Sequence, residues 1–148
     1  MSVKPAPAVF VDTSVLYAHL DESDTNHEAA RTIFEDIRTN AVVYRPLYVT
    51  SHVLSELVTL LAHNHGTAVA VDALDRLRDS SLFVLLYPDA TVIDTAAGQL
   101  ARYHDQSITL VDHLTAVLAT EYDVDRVVTF DDDFRTLGYS LVPADTFR

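Results

Sequence analysis

The sequence has no cysteine. Disulfides, thiolate metal sites and cysteine nucleophiles are therefore excluded, and the chain is compatible with a reducing cytoplasm. Glycine and proline are scarce, at three and five residues, so low-complexity linkers and fibrous repeats are ruled out. No apolar run is long enough to span a bilayer. The first eight residues, Met1 to Ala8, lack the charged-then-apolar layout of a signal peptide. A soluble cytoplasmic protein without membrane contact is expected. Lysine is nearly missing too: Lys4 is the only one, and ten basic residues face twenty-two acidic ones for a net charge of −12. A broad basic face of the kind that grips nucleic acid by its phosphates is not available.

Among the 148 residues nearly half are apolar, enough for one domain with one core spanning 1–148. The acids are mostly Asp, seventeen against five Glu. Most read as a solvated surface suited to high salt, where self-repulsion is screened; a few read as chemistry.

Short apolar runs alternate with helical patterns, which predicts βα units and a parallel sheet. Ala8 to Val11 is the first strand, ending at Asp12, with a short helix through Leu20. Thr25-Asn26-His27-Glu28 fits a capping box, ahead of a helix to about Asn40. Val42 to Val49 is a strand region weakened by Pro46. Thr50 or Ser51 caps a helix that stops at Gly66, and another helix covers Ala68 to Arg78. Leu82 to Tyr87 is the third strand, followed by a helix from Ala90 to His104. Thr109 caps a helix over Val111 to Tyr122. Arg126 to Phe130 is the fourth strand, ending at Asp131, and Ser140 to Val142 is a last edge strand.

This order gathers four acids. Asp12 and Asp131 follow strands, so both fall at the carboxyl edge of a parallel sheet, where open α/β proteins place their sites. Helices in βα units start at that same edge. Asp112 is in the first turn of one, and Glu56 is a little over one turn into another. Glu56 also sits beside the stripe formed by Val53, Leu54, Leu57, Val58 and Leu61, next to the core. Clustered carboxylates repel one another until they protonate or a cation neutralises them. All-oxygen donors select Mg²⁺ or Mn²⁺, ions that can activate water and stabilise the leaving oxygen of a phosphodiester. Taken singly, each acid has a plainer reading: a turn residue after a strand, a partner for a helix dipole, or a solvated Glu.

At these residues the sequence resembles the PIN-domain family, and within it the VapC-type toxins. Val9-Phe10-Val11-Asp12-Thr13-Ser14 is similar to the opening strand and first acid, and Asp24 to Ala30 to the entry of the second helix. Thr50 to Leu57 is similar to the segment with the second acid, Ile108 to Asp112 to that with the third, and Val128 to Phe134 to that with the fourth. Gly138 falls where the family often has glycine. The resemblance runs from Val9 to about Leu141. It implies a three-layer α/β/α sandwich around a short, mostly parallel sheet, and a Mg²⁺- or Mn²⁺-dependent endoribonuclease. Such proteins are often homodimeric and often paired with a small antitoxin. On this match Asp12, Glu56, Asp112 and Asp131 are the catalytic, metal-binding acids. Thr13 and Thr129 are nearby hydroxyls that orient a ligand or water, and Asp133 reads more as surface than as an accessory acid. His113 stands where the family commonly has a small residue, so a different pocket wall is expected. Toxin status does not follow from the fold, because PIN domains also serve in RNA processing.

Other constellations carry less. His52, Glu56 and His63 share a helix side but lack the His-Glu-x-x-His spacing of a zinc site. The seven tyrosines read as core aromatics rather than as base-stacking platforms. Asp12-Thr13-Ser14 has Ser14 where an aspartyl-phosphate phosphatase would have a second acid. A non-catalytic module of the same fold is the alternative to an enzyme, and metal binding separates the two.

Overall fold

The computed structural model describes residues 6–146; Lys4 and most of the N-terminal stretch lie outside the described residues. The strands are β1 (Val9–Val11), β2 (Leu47–Thr50), β3 (Phe83–Leu86), β4 (Arg126–Val128) and β5 (Ser140–Val142). The helices are α1 (Thr13–Leu20), α2 (His27–Arg38), α3 (Ser51–His65), α4 (Thr67–Asp79), α5 (Ala90–Arg102), α6 (Leu110–Glu121) and α7 (Asp133–Thr136). The five strands form one sheet in the order β3-β2-β1-β4-β5. Every pairing in it is parallel.

Two cores follow from the period-two alternation of strand side chains. Val9, Val11, Leu47, Val49, Val128 and Val142 pack with α1 to α4 on one face. Phe10, Val127 and Leu141 pack with α5, α6 and α7 on the other. Both faces of the central strands are thus covered, which is why β1 reads as an unbroken apolar run. The result is the expected α/β/α sandwich.

The chain leaves β1 toward β2 and β3, then returns to the other side of β1 for β4 and β5. With right-handed crossovers the helices change faces at that reversal. The carboxyl ends of β1 and β4 are neighbours there, at the kind of switch point where open α/β sheets place their sites.

Local chemistry sets the boundaries. Thr50 caps α3 by accepting from Val53 N at 3.0 Å, and Gly66, at φ +91°, separates α3 from α4. Three expectations change. The second strand begins only at Leu47, because Pro46 has no N–H for the ladder. The fourth strand stops at Val128 rather than Phe130. Thr129 still donates its N–H to Val142 O at 3.1 Å, but its side chain turns to Asp12 and the chain leaves the sheet. The box at Thr25 does not form: α2 starts after Asn26 with no side-chain cap. Instead Asp24 Oδ1 accepts the Asn26 N–H at 2.8 Å.

Candidate active site

Asp12 follows β1 directly and is 5 % exposed. Two hydroxyls donate to its Oδ2, Ser14 Oγ at 2.9 Å and Thr129 Oγ1 at 2.9 Å. Each hydroxyl also accepts a backbone N–H from the β4–α7 loop: Phe130 N to Ser14 Oγ at 3.1 Å, and Asp131 N to Thr129 Oγ1 at 2.9 Å. The first acid and the loop bearing the fourth are therefore one hydrogen-bonded unit. Burial pushes the Asp12 carboxyl above its ordinary value, against the lowering pull of the two hydroxyls.

Asp112 belongs to a true capping box. Thr109 Oγ1 accepts the Asp112 N–H at 3.2 Å, and Asp112 Oδ2 accepts the Thr109 N–H at 3.2 Å. The box fixes the carboxylate at the start of α6, where it is 7 % exposed. Its pKa is pushed up to about 7, first by burial and then by the charge of Asp12. Two buried, mutually repelling carboxylates are thus short of a cation.

Asp131 Oδ1 accepts the Asp133 N–H at 3.0 Å, a tight turn that opens α7. This brings Asp133 into the site. Ligand oxygens of Asp112, Asp131 and Asp133 lie within 4.8 Å of one another. Asp133 is half-buried rather than a surface acid, and burial and the Asp131 charge raise its pKa.

Asp12, Glu56, Asp112 and Asp131 line one open cleft of about 310 Å³. All four acids expected from the sequence therefore meet there. Glu56 is half-buried beside its apolar stripe, as its helical position requires, but it stands outside the tight trio. Thr13 also lines the cleft, and its buried Oγ1 has no hydrogen-bond partner among the described residues. No Lys or Arg of the described residues lines it. The donor set is all oxygen, concentrated and under-neutralised, which fits a hard divalent cation.

Ser14 is a site residue that the sequence reading passed over, and Asp133 one that it weighed and set at the surface. Each lies two positions beyond an acid that it supports or joins, and that spacing was the available signal. His113, by contrast, does not form a cleft wall. It is fully buried, its Nδ1 lies 3.3 Å from Gln99 Oε1, and its ring packs toward Tyr103. Among the described residues, His52, Glu56 and His63 do not assemble as a metal-ligating group.

An acidic cleft at the switch point of a five-stranded parallel sheet defines a class, and the comparisons agree with it. The model of the PIN domain matches residues 9–138, and the chain belongs to that family. Ribonuclease VapC26 of Mycobacterium tuberculosis is 32 % identical over 123 residues, 83 % of this chain and 86 % of that protein. The crystal structure of VapC20 of Mycobacterium tuberculosis, a sarcin-ricin loop cleaving toxin, superposes with a TM-score of 0.80 at 24 % identity, covering 90 % of this chain and 97 % of that one. VapBC2 of Rickettsia felis, bound to a promoter DNA fragment, gives 0.65 at 16 % identity, covering 90 % and 96 %.

Proposed function

We propose that this chain is a metal-dependent endoribonuclease, the toxin of a toxin–antitoxin pair, built as a single PIN-like nuclease domain and acting in the cytoplasm. The observation that carries the reading is the trio Asp112, Asp131 and Asp133 beside the buried Asp12, at a cleft that no Lys or Arg of the described residues lines. The likeness to ribonuclease VapC26 supports RNA as the substrate. No helix among the described residues is long and apolar enough to cross a membrane.

Asp12, Glu56, Asp112 and Asp131 are the residues that hold Mg²⁺ or Mn²⁺, and Asp133 joins them. When bound, such an ion offsets the clustered charge, polarises a water and stabilises the leaving oxygen. The protein does the rest. Ser14 and Thr129 fix the Asp12 carboxylate, and Thr109 fixes that of Asp112. The Thr13 hydroxyl, buried beside the cleft with no partner among the described residues, is the remaining group for orienting a bound water. Glu56, outside the trio, completes the acidic lining of the cleft.

An acidic cleft in a chain of net charge −12 also attracts Arg or Lys side chains. A basic segment of a small antitoxin would compete with metal and RNA for it. The test has two arms. RNA should be cleaved with Mg²⁺ or Mn²⁺ and left intact in excess EDTA. Expression should arrest growth, and co-expression of the neighbouring gene should restore it. Full cleavage in EDTA overturns the metal assignment; unaffected growth at high expression overturns the toxin role.

A further inference from the structure

The acids occupy only part of the cleft. The rest is contributed by α1, α3 and the α1–α2 turn, through Tyr17, Asp24, Asn26 and Leu60. We infer that this part is a nucleobase subsite that selects a base carrying an exocyclic amino group, an inference that rests on the ribonuclease reading above.

The Tyr17 ring is held in place. Its hydroxyl accepts from Asn64 Nδ2 at 2.8 Å, and the Asp21 carboxylate stands close enough to oppose its ionisation. Asp21 is itself fixed by the Ser23 N–H at 2.9 Å and the Ser23 hydroxyl at 2.6 Å. His65 Nε2 stands 3.6 Å from it. A ring anchored at its hydroxyl loses little further entropy when a base stacks on it.

Asp24 and Asn26 are positioned by the same turn. Asp24 N donates to Asp21 O at 3.0 Å, and His27 N donates to Asp24 O at 3.0 Å. With Asp24 Oδ1 bound to the Asn26 N–H, the half-buried carboxylate has a set orientation. Its charge reaches Tyr17, whose ionisation it opposes.

A phosphate does not suit this end. Asp24 repels it, and no Lys or Arg of the described residues lines the cleft to compensate. A flat, uncharged base does suit it. An ionised carboxylate only accepts hydrogen bonds. Adenine, cytosine and guanine offer it an amino group, whereas uracil flanks its single N–H with two carbonyl oxygens that the carboxylate repels. Asn26 supplies donors and an acceptor for a second edge contact, and Leu60 an apolar rim.

The experiment cuts a randomised RNA pool with the full chain in Mg²⁺, and separately titrates AMP, CMP, GMP and UMP against it. We expect uridine to be disfavoured about tenfold at one position beside the cut, with UMP the weakest binder by a similar factor. Asp24→Asn adds an amide donor and should shift both preferences toward uracil. Tyr17→Leu should raise KM while leaving kcat nearly unchanged. Uniform base usage by the wild type, or a preference that Asp24→Asn leaves in place, overturns the subsite while the nuclease reading stands. No cleavage of any RNA overturns the nuclease reading, and equal binding of the four nucleotides then overturns the subsite too. If Asp24→Asn weakens only capture of the antitoxin, this end of the cleft is a protein contact and the subsite is wrong.

Discussion

The Thr129 hydroxyl donates to Asp12 Oδ2 at 2.9 Å although the two residues are 117 positions apart. Thr129 Oγ1 in turn accepts the Asp131 N–H at 2.9 Å. One side chain thus registers the end of β1 against the loop after β4, and with it two acids of the cleft.

Thr129→Val removes that link and leaves a buried carboxylate short of a donor, which costs about 1–3 kcal/mol. We expect a lower melting temperature and weaker Mg²⁺ binding by titration calorimetry. Thr129→Ser keeps the hydroxyl and should retain most of both. Equal metal affinity in the valine and serine variants would show that the link is structural only.

Asp112→Asn, Asp131→Asn and Asp133→Asn should each weaken Mn²⁺ binding, by about tenfold for the loss of one charged donor. Asp12→Asn and Glu56→Gln should abolish most cleavage while remaining folded. Asp79→Asn and Asp94→Asn, on exposed helix positions, are the neutral controls. Asp36 is unsuitable as a control, since it is half-buried. A Mn²⁺ affinity in Asp133→Asn equal to that of the wild type returns Asp133 to the surface class.

Without metal, the Asp112 contribution to stability should be lost as pH rises through about 7. Asp112 has a folded pKa of about 7, raised above its ordinary value by burial and the Asp12 charge. The folded state therefore holds a proton that the unfolded state has released, and stability is lost as pH rises through that value. His113 and His19, both lowered by burial, act in the opposite sense until the unfolded histidines have released their protons, about a unit above their ordinary value. The Asp112 effect is therefore read against Asp112→Asn: in EDTA, melting curves from pH 6.5 to 8 should show the wild type losing roughly a few degrees relative to the variant. Mg²⁺ should suppress that difference. A wild type that tracks the variant would show that Asp112 is ionised in the apo protein.

RNA binding should weaken only slowly with salt. A steep loss requires many phosphates neutralised by Lys and Arg. Arg31, Arg38, Arg76 and Arg135 are already paired with acids, and no cation of the described residues lines the cleft. Salt should also screen the surface acids and hold or raise the melting temperature. A slope of log affinity on log salt like that of a basic ribonuclease would reveal a basic surface assembled by a dimer.

The sequence by itself determined the order of elements, the parallel sheet and the meeting of Asp12, Glu56, Asp112 and Asp131. Strand-length apolar runs and helical stripes are local signals, and βα topology then carries the acids to one edge. It also marked the cap at Thr109 and narrowed that of α3 to Thr50 or Ser51, because a cap joins residues three apart. Only the tertiary structure decided where β4 ends, what His113 faces and that Asp133 joins the site. Val128 is followed by two residues, Thr129 and Phe130, that suit a strand equally well. They leave the sheet because Thr129 bonds Asp12 and the Phe130 N–H bonds Ser14 across the ends of β1 and β4, and contacts over 117 and 116 positions leave no periodic trace. The box at Thr25 had the right letters and did not form, because Asp24 Oδ1 takes the Asn26 N–H in a turn that puts the N-cap at Asn26, one residue beyond Thr25. Hydrogen-bond competition of that kind is settled by where the neighbouring groups stand, and residue spacing alone does not record it.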